Sequence, residues 1–157
     1  MHYNCRIDKM PAVELAAADR DLLAAAHRAA LNAYAPYSNF QVGAAARLEN
    51  GEVILGANQE NMSYPQGMCG ERIAVFTAGA QHPGVAIEAV AIVSPSPIAN
   101  PTAFMPCGGC RQVLLESEQR QPGVIRLLLQ ARDEDVLVSE SAANLVPFAF
   151  DAEGLGQ

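Results

Sequence analysis

Basic residues are scarce in this chain: Lys and Arg together number 10 against 17 Asp and Glu, a formal net charge of −7. That balance repels a phosphate backbone and supplies no cationic groove, so no nucleic-acid partner is expected and a small uncharged ligand suits the chain better. Long apolar runs are missing as well. The N-terminal stretch carries Arg6, Asp8, Lys9 and Glu14, which leaves neither a signal-peptide core nor a membrane span there, and the expected location is the cytoplasm. Low-complexity tracts and internal repeats are absent too. With 50% hydrophobic and 17% charged residues, the 157 residues are expected to form a single domain with its own core and no need of disulfides. Cysteines number only four. In a reducing compartment a close pair of them reads as metal-binding or redox-active before it reads as a disulfide. Cys5 stands apart and carries no expected role.

What is present has clear periodicity. Leu22, Leu23, Ala26, Ala30 and Ala33 fall at helical spacing within residues 16–34, which predicts an amphipathic helix closed by Ala35-Pro36, with Tyr37-Ser38-Asn39 as a loop. Runs 40–47 and 53–58 flank Asn50-Gly51, the signature of a tight β-hairpin. Ile73, Ala74, Phe76, Thr77 and Ala80 predict a helix opening at Cys69, and a second helix opens at Cys107 and reaches about Ser117. The short apolar runs 86–94 and 124–129 read as buried strands. Alternating strands and helices require crossover connections, hence a sheet with helices on both faces. Residues 145–150 are expected to form a final edge or an oligomer contact.

The chemistry lies at the two helix starts, where partial positive charge favours thiolates. Cys107 and Cys110 are three apart, so on a first helical turn their sulfurs share a face and can grip one ion, with Cys69 from the other helix as a third ligand. A structural zinc site closes with four protein ligands, and His2, His27 and His82 stand in no ligand-spaced motif beside these cysteines. Three ligands leave an open position, where a bound water loses its proton near neutral pH. Glu71 follows Cys69 by two residues, roughly 200° around a helix axis, so it is placed to reach that water rather than to share the ion. Three thiolates on a divalent ion leave a net charge of about −1, which Arg72 and Arg111, each beside a motif residue, are candidates to offset. Alone, Cys107-x-x-Cys110 is as much a redox pair as a zinc pair, and Glu71 with Arg72 reads better as an ordinary dipole-favoured first-turn carboxylate beside a surface arginine.

Together, Cys69-Gly70-Glu71-Arg72 and Pro106-Cys107-Gly108-Gly109-Cys110-Arg111-Gln112 resemble the paired zinc motif of the cytidine deaminase superfamily, in the three-cysteine form of its small free-nucleoside branch. The resemblance extends through residues 35–40, 42–45, 58–61 and 63–65. It implies a three-layer α/β/α fold with a mixed, roughly five-stranded sheet, and one Zn2+ per chain on Cys69, Cys107 and Cys110. It assigns Glu71 to protonating the pyrimidine ring nitrogen, deprotonating the water and assisting ammonia departure. It places Asn58 and Glu60 on the ribose hydroxyls, Phe40 against the base and Phe150 on a neighbouring subunit's base, in a homotetramer with shared sites. The implied reaction is hydrolytic deamination of cytidine and deoxycytidine in pyrimidine salvage.

Gly70, a substrate-side position, departs from the family's usual alanine, as does Gly109, and added backbone freedom at Gly70 is expected to loosen the pocket. That departure keeps a deaminase of modified cytosine nucleosides or aminonucleoside antibiotics as an alternative. A noncatalytic zinc-binding module is a further one, and a polynucleotide editor is disfavoured by the net acidity.

Overall fold

The computed structural model describes residues 5–150; of the residues considered above, His2 lies outside that range. Nine regular elements follow one another: β1 (Asp8–Met10), α1 (Ala17–Ala30), β2 (Gly43–Leu48), β3 (Val53–Ala57), α2 (Gly70–Gln81), β4 (Ile87–Ser94), α3 (Gly108–Gln119), β5 (Arg126–Ala131) and β6 (Val136–Ser139). The strands make one six-stranded sheet in the order β1-β6-β5-β4-β2-β3. Only β4 and β5 pair in parallel; the other neighbours are antiparallel.

This order decides where the chemistry sits. β3 is antiparallel to β2, and β2 to β4, so β3, β4 and β5 all run the same way. The chain therefore leaves β3 and β4 at one sheet edge, and the loops that follow deliver the starts of α2 and α3 to that same edge.

Each strand sorts its side chains by alternation. Ala44, Ala46, Val90, Ile92, Leu127 and Leu129 pack with Ala74, Val75, Ala78 and Leu114 of α2 and α3. Ala45, Ala89, Ala91, Val93 and Leu128 pack on the opposite face with Leu22, Leu23, Ala26 and Ala30 of α1. Three layers result, as the resemblance implies. The α1 layer lies unusually close: a Cβ built on Gly43 would stand 2.1 Å from the Ala26 carbonyl oxygen and 2.4 Å from the Ala30 nitrogen. Backbone on backbone leaves no side chain to yield, so Gly43 is required there. Leu128, fully buried between the layers, is worth about 2–5 kcal/mol against truncation to alanine.

The structure departs from the sequence reading in four places. The first helix ends at Ala30 rather than at Tyr34, because Tyr34 is drawn into a bridge with Gln59: its N–H donates to the Asn58 carbonyl at 2.9 Å and its carbonyl accepts from the Glu60 N–H at 2.8 Å. Residues 40–42 are not part of β2, since loop and side-chain partners take their polar groups. The sheet has six strands instead of about five; β1 and β6, three and four residues long, are too short to show alternation. Residues 145–150 form no edge strand. A 3-10 turn, Ala142–Leu145, capped by Ser141 accepting from the Ala143 N–H, leads into them, and β1 supplies the edge beside β6. No helix among the described residues is long and apolar enough to cross a membrane.

Candidate metal centre and substrate cleft

Cys69 and Cys107 occupy the N-cap positions of α2 and α3, both in extended backbone (ψ 147° and 164°). Their carbonyls accept the first helical bonds, from Ile73 at 3.1 Å and Arg111 at 2.9 Å. Cys110, fully buried, lies one turn inside α3. The three sulfurs lie within 4.8 Å of one another, the one His/Cys/Asp/Glu cluster of metal-holding geometry among the described residues. Cys107 and Cys110 Sγ are 3.3 Å apart.

The electrostatics fit a cation. The Cys69 thiol is held down to about 5 by the hydrogen bond it receives from Cys110, helped by the neighbouring Arg72 guanidinium. The Cys110 thiol is pushed up, by donating to Cys69, by burial and by the Glu71 charge. A divalent ion bound by these sulfurs would displace their thiol protons. Arg72 Nη2 lies 3.7 Å from Cys69 Sγ. Its Nε is buried without a hydrogen-bond partner among the described residues. Of the two candidate arginines, only Arg72 is brought to a sulfur. Arg111 donates from Nε to the Pro106 carbonyl at 2.8 Å and braces the loop before Cys107.

Glu71 is 5% exposed on the first turn of α2. Burial, reinforced by the Cys69 thiolate, raises its pKa above the ordinary carboxyl value. It opens onto a cleft of about 400 Å³ that Cys69, Cys107, Phe40, Asn58 and Glu60 also line. Phe150 is exposed and outside that lining.

The cleft wall comes from residues 37–42, whose backbone is tied by hydrogen bonds while Phe40 and Val42 pack against the core. Asn58 spends its carboxamide there: Oδ1 accepts from the Val42 N–H at 2.8 Å and Nδ2 donates to the Phe40 carbonyl at 2.8 Å. Glu60 accepts from the N–H groups of Tyr37 (2.9 Å) and Ser38 (3.2 Å) and from the Ser38 hydroxyl. From the end of β4, Ser94 Oγ donates to the Gln41 carbonyl at 2.7 Å, while Ser96 Oγ accepts from the Gln41 N–H at 2.8 Å and donates to Asn39. The Glu60 pKa is lowered, chiefly by the Ser38 hydroxyl.

The backbone packs closely around Gly70. A Cβ there would meet the Val42 carbonyl oxygen at 3.0 Å and the Asn58 nitrogen at 3.2 Å, so the wall backbone lies tight against this glycine. Gly109 faces open space. Sequence reasoning missed Phe104, buried with its ring centroid 6.4 Å from that of Phe40 at a tilt of 43°, together with Met105, Ser94 and Ser96. Phe104 and Met105 sit in a proline-rich loop without periodicity, and no local signal marks them.

Comparisons with known proteins agree with this arrangement. A family model described as the cytidine and deoxycytidylate deaminase zinc-binding region matches residues 16–124. The chain is 40% identical over 134 residues to a cytidine deaminase of Halalkalibacterium halodurans, covering 85% of this chain and 95% of that one. The crystal structure of cytidine deaminase from Burkholderia pseudomallei superposes with a TM-score of 0.72 at 42% identity, over 83% of this chain and 97% of that one. That of Mycobacterium tuberculosis cytidine deaminase superposes with a TM-score of 0.61 at 37% identity, over 83% and 95%. The matched zinc-binding region and the three-thiol cluster together support one zinc per chain.

Proposed function

This chain belongs to the cytidine and deoxycytidylate deaminase family, and from that premise we propose that it is a zinc-dependent hydrolase that converts cytidine, and deoxycytidine, with water to the uridine counterpart and ammonia. The observation that carries the reading is the meeting, in one cleft, of a buried carboxyl with raised pKa, a three-thiol cluster and an aromatic wall.

Cys69, Cys107 and Cys110 hold the ion, and Arg72 offsets part of their charge. When bound, zinc acidifies a water for attack on the amino-bearing carbon of the base. Glu71 receives the water's proton, delivers a proton to the ring nitrogen and assists the departing amino group. Burial raises its pKa above the ordinary carboxyl value, the direction that a group acting as base and then acid requires. Phe40 covers a face of the base. Glu60, ionised and accepting only, takes a sugar hydroxyl, and Asn58 reaches the sugar with whatever capacity its two loop bonds leave. The finer reading is a homotetramer of single-domain chains spanning residues 1–157, with Phe150 entering a neighbour's site and Arg111 serving the cysteine loop, in cytoplasmic pyrimidine salvage.

Incubating the purified protein with cytidine, deoxycytidine, cytosine and cytidine monophosphate while following ammonia tests this. Release from the two nucleosides is expected. No release from either, at one zinc per chain, contradicts it.

A further inference from the structure

We propose that Ser38 is a positioning residue of the substrate cleft: its hydroxyl ties the Glu60 carboxylate to the backbone of Phe40 and so sets the preference for a substrate that carries sugar hydroxyls. The inference rests on the nucleoside reading above and deepens it. A serine hydroxyl has one proton and two lone pairs. Here the proton goes to Glu60 Oε1, and a lone pair takes the Phe40 N–H at 3.0 Å. One oxygen thus joins the carboxylate expected to meet the sugar to the residue expected to meet the base.

Among the described residues, Glu60 has no cationic side chain as a hydrogen-bond partner. Two backbone N–H groups hold Oε2, and Ser38 alone holds Oε1. Without the hydroxyl, Oε1 is free to swing about the Oε2 anchor. There is space beside it: Glu60 and Ser38 border both the substrate cleft and a second cavity of about 300 Å³ that Tyr37, Asn61 and Tyr64 also line. Since Ser38 is itself exposed, and Asn58, Ser94 and Ser96 hold the rest of the loop, its removal leaves the fold in place.

The test compares wild-type protein with Ser38→Ala and Ser38→Thr on cytidine and on 2′,3′-dideoxycytidine, with melting temperature as a control. Losing a hydrogen bond to a charged group is expected to raise the alanine variant's KM for cytidine roughly tenfold, with kcat within about twofold. Its kcat/KM for the dideoxy compound falls by less than that for cytidine, so the preference between the two narrows, and the threonine variant recovers most of it. An unchanged KM, an equal loss on both nucleosides, or a threonine variant as impaired as alanine overturns the proposal. Wild-type protein without turnover would overturn the functional reading, and this inference with it.

Discussion

The three cysteines are held by two helix starts, whereas the aromatic wall that faces them is held by side-chain hydrogen bonds from separate segments of the chain. At the floor, N-cap backbone geometry and the packing of α2 and α3 on one sheet face set the sulfur positions. At the wall, Asn58, Glu60, Ser94 and Ser96 each pin a different part of residues 37–42, and no regular ladder contributes. A floor of this kind has no redundancy, because each sulfur is a separate ligand. A wall tied at several points should lose function by degrees. Substitutions can break or sharpen that contrast.

The largest effect is expected at the floor. Cys110→Ala should abolish both zinc retention and turnover, since the lost ligand is fully buried and no spare donor of the cluster exists among the described residues. Metal analysis of the purified variant, with zinc retained at parity, would break the contrast. Arg72→Gln comes next: it removes the donor to Cys69 without removing a ligand, and metal affinity should fall about 10–100-fold in a chelator competition. Asn58→Ala removes both bonds that fasten the middle of the wall. A loss of about 1–3 kcal/mol in stability is expected, with a raised KM and full zinc content.

How far the sequence carried the reading divides along the same line. Cysteine spacing, Glu71 and the helix starts are local patterns, and they placed the floor before any coordinates. The wall is a matter of partners far apart in sequence. Val42 and Phe40 find Asn58, and Gln41 finds Ser96, 55 residues on. Nothing in Asn58 itself announces that its carboxamide is spent on a loop. Glu118 shows the same limit. Marked by no motif, it is a buried carboxylate accepting from the Ile125 and Ala142 N–H groups and the Ser141 hydroxyl, and it locks α3 to the segment after β6. The short β1 and β6 strands exist only by pairing with each other and with β5.

The smallest expected effect concerns acid. The folded-state pKa of Glu60 is depressed, so its contribution to the wall is complete above the unfolded value of about 4.3 and fades as pH falls through the lower folded value. The difference in melting temperature between wild-type protein and Glu60→Gln should therefore be constant from neutral pH to about pH 5 and shrink below about 4. A difference that grows toward acid would have the wrong sign.

The account as a whole turns on Glu71 moving protons beside a metal it does not hold. Glu71→Gln keeps the size and removes the ionisable group. Zinc content and cytidine turnover measured on the same preparation of this variant give the most direct test. The account predicts a folded protein with one zinc per chain and turnover reduced by about 10²–10⁴-fold. Substantial turnover at full zinc occupancy, or zinc lost along with activity, would contradict it.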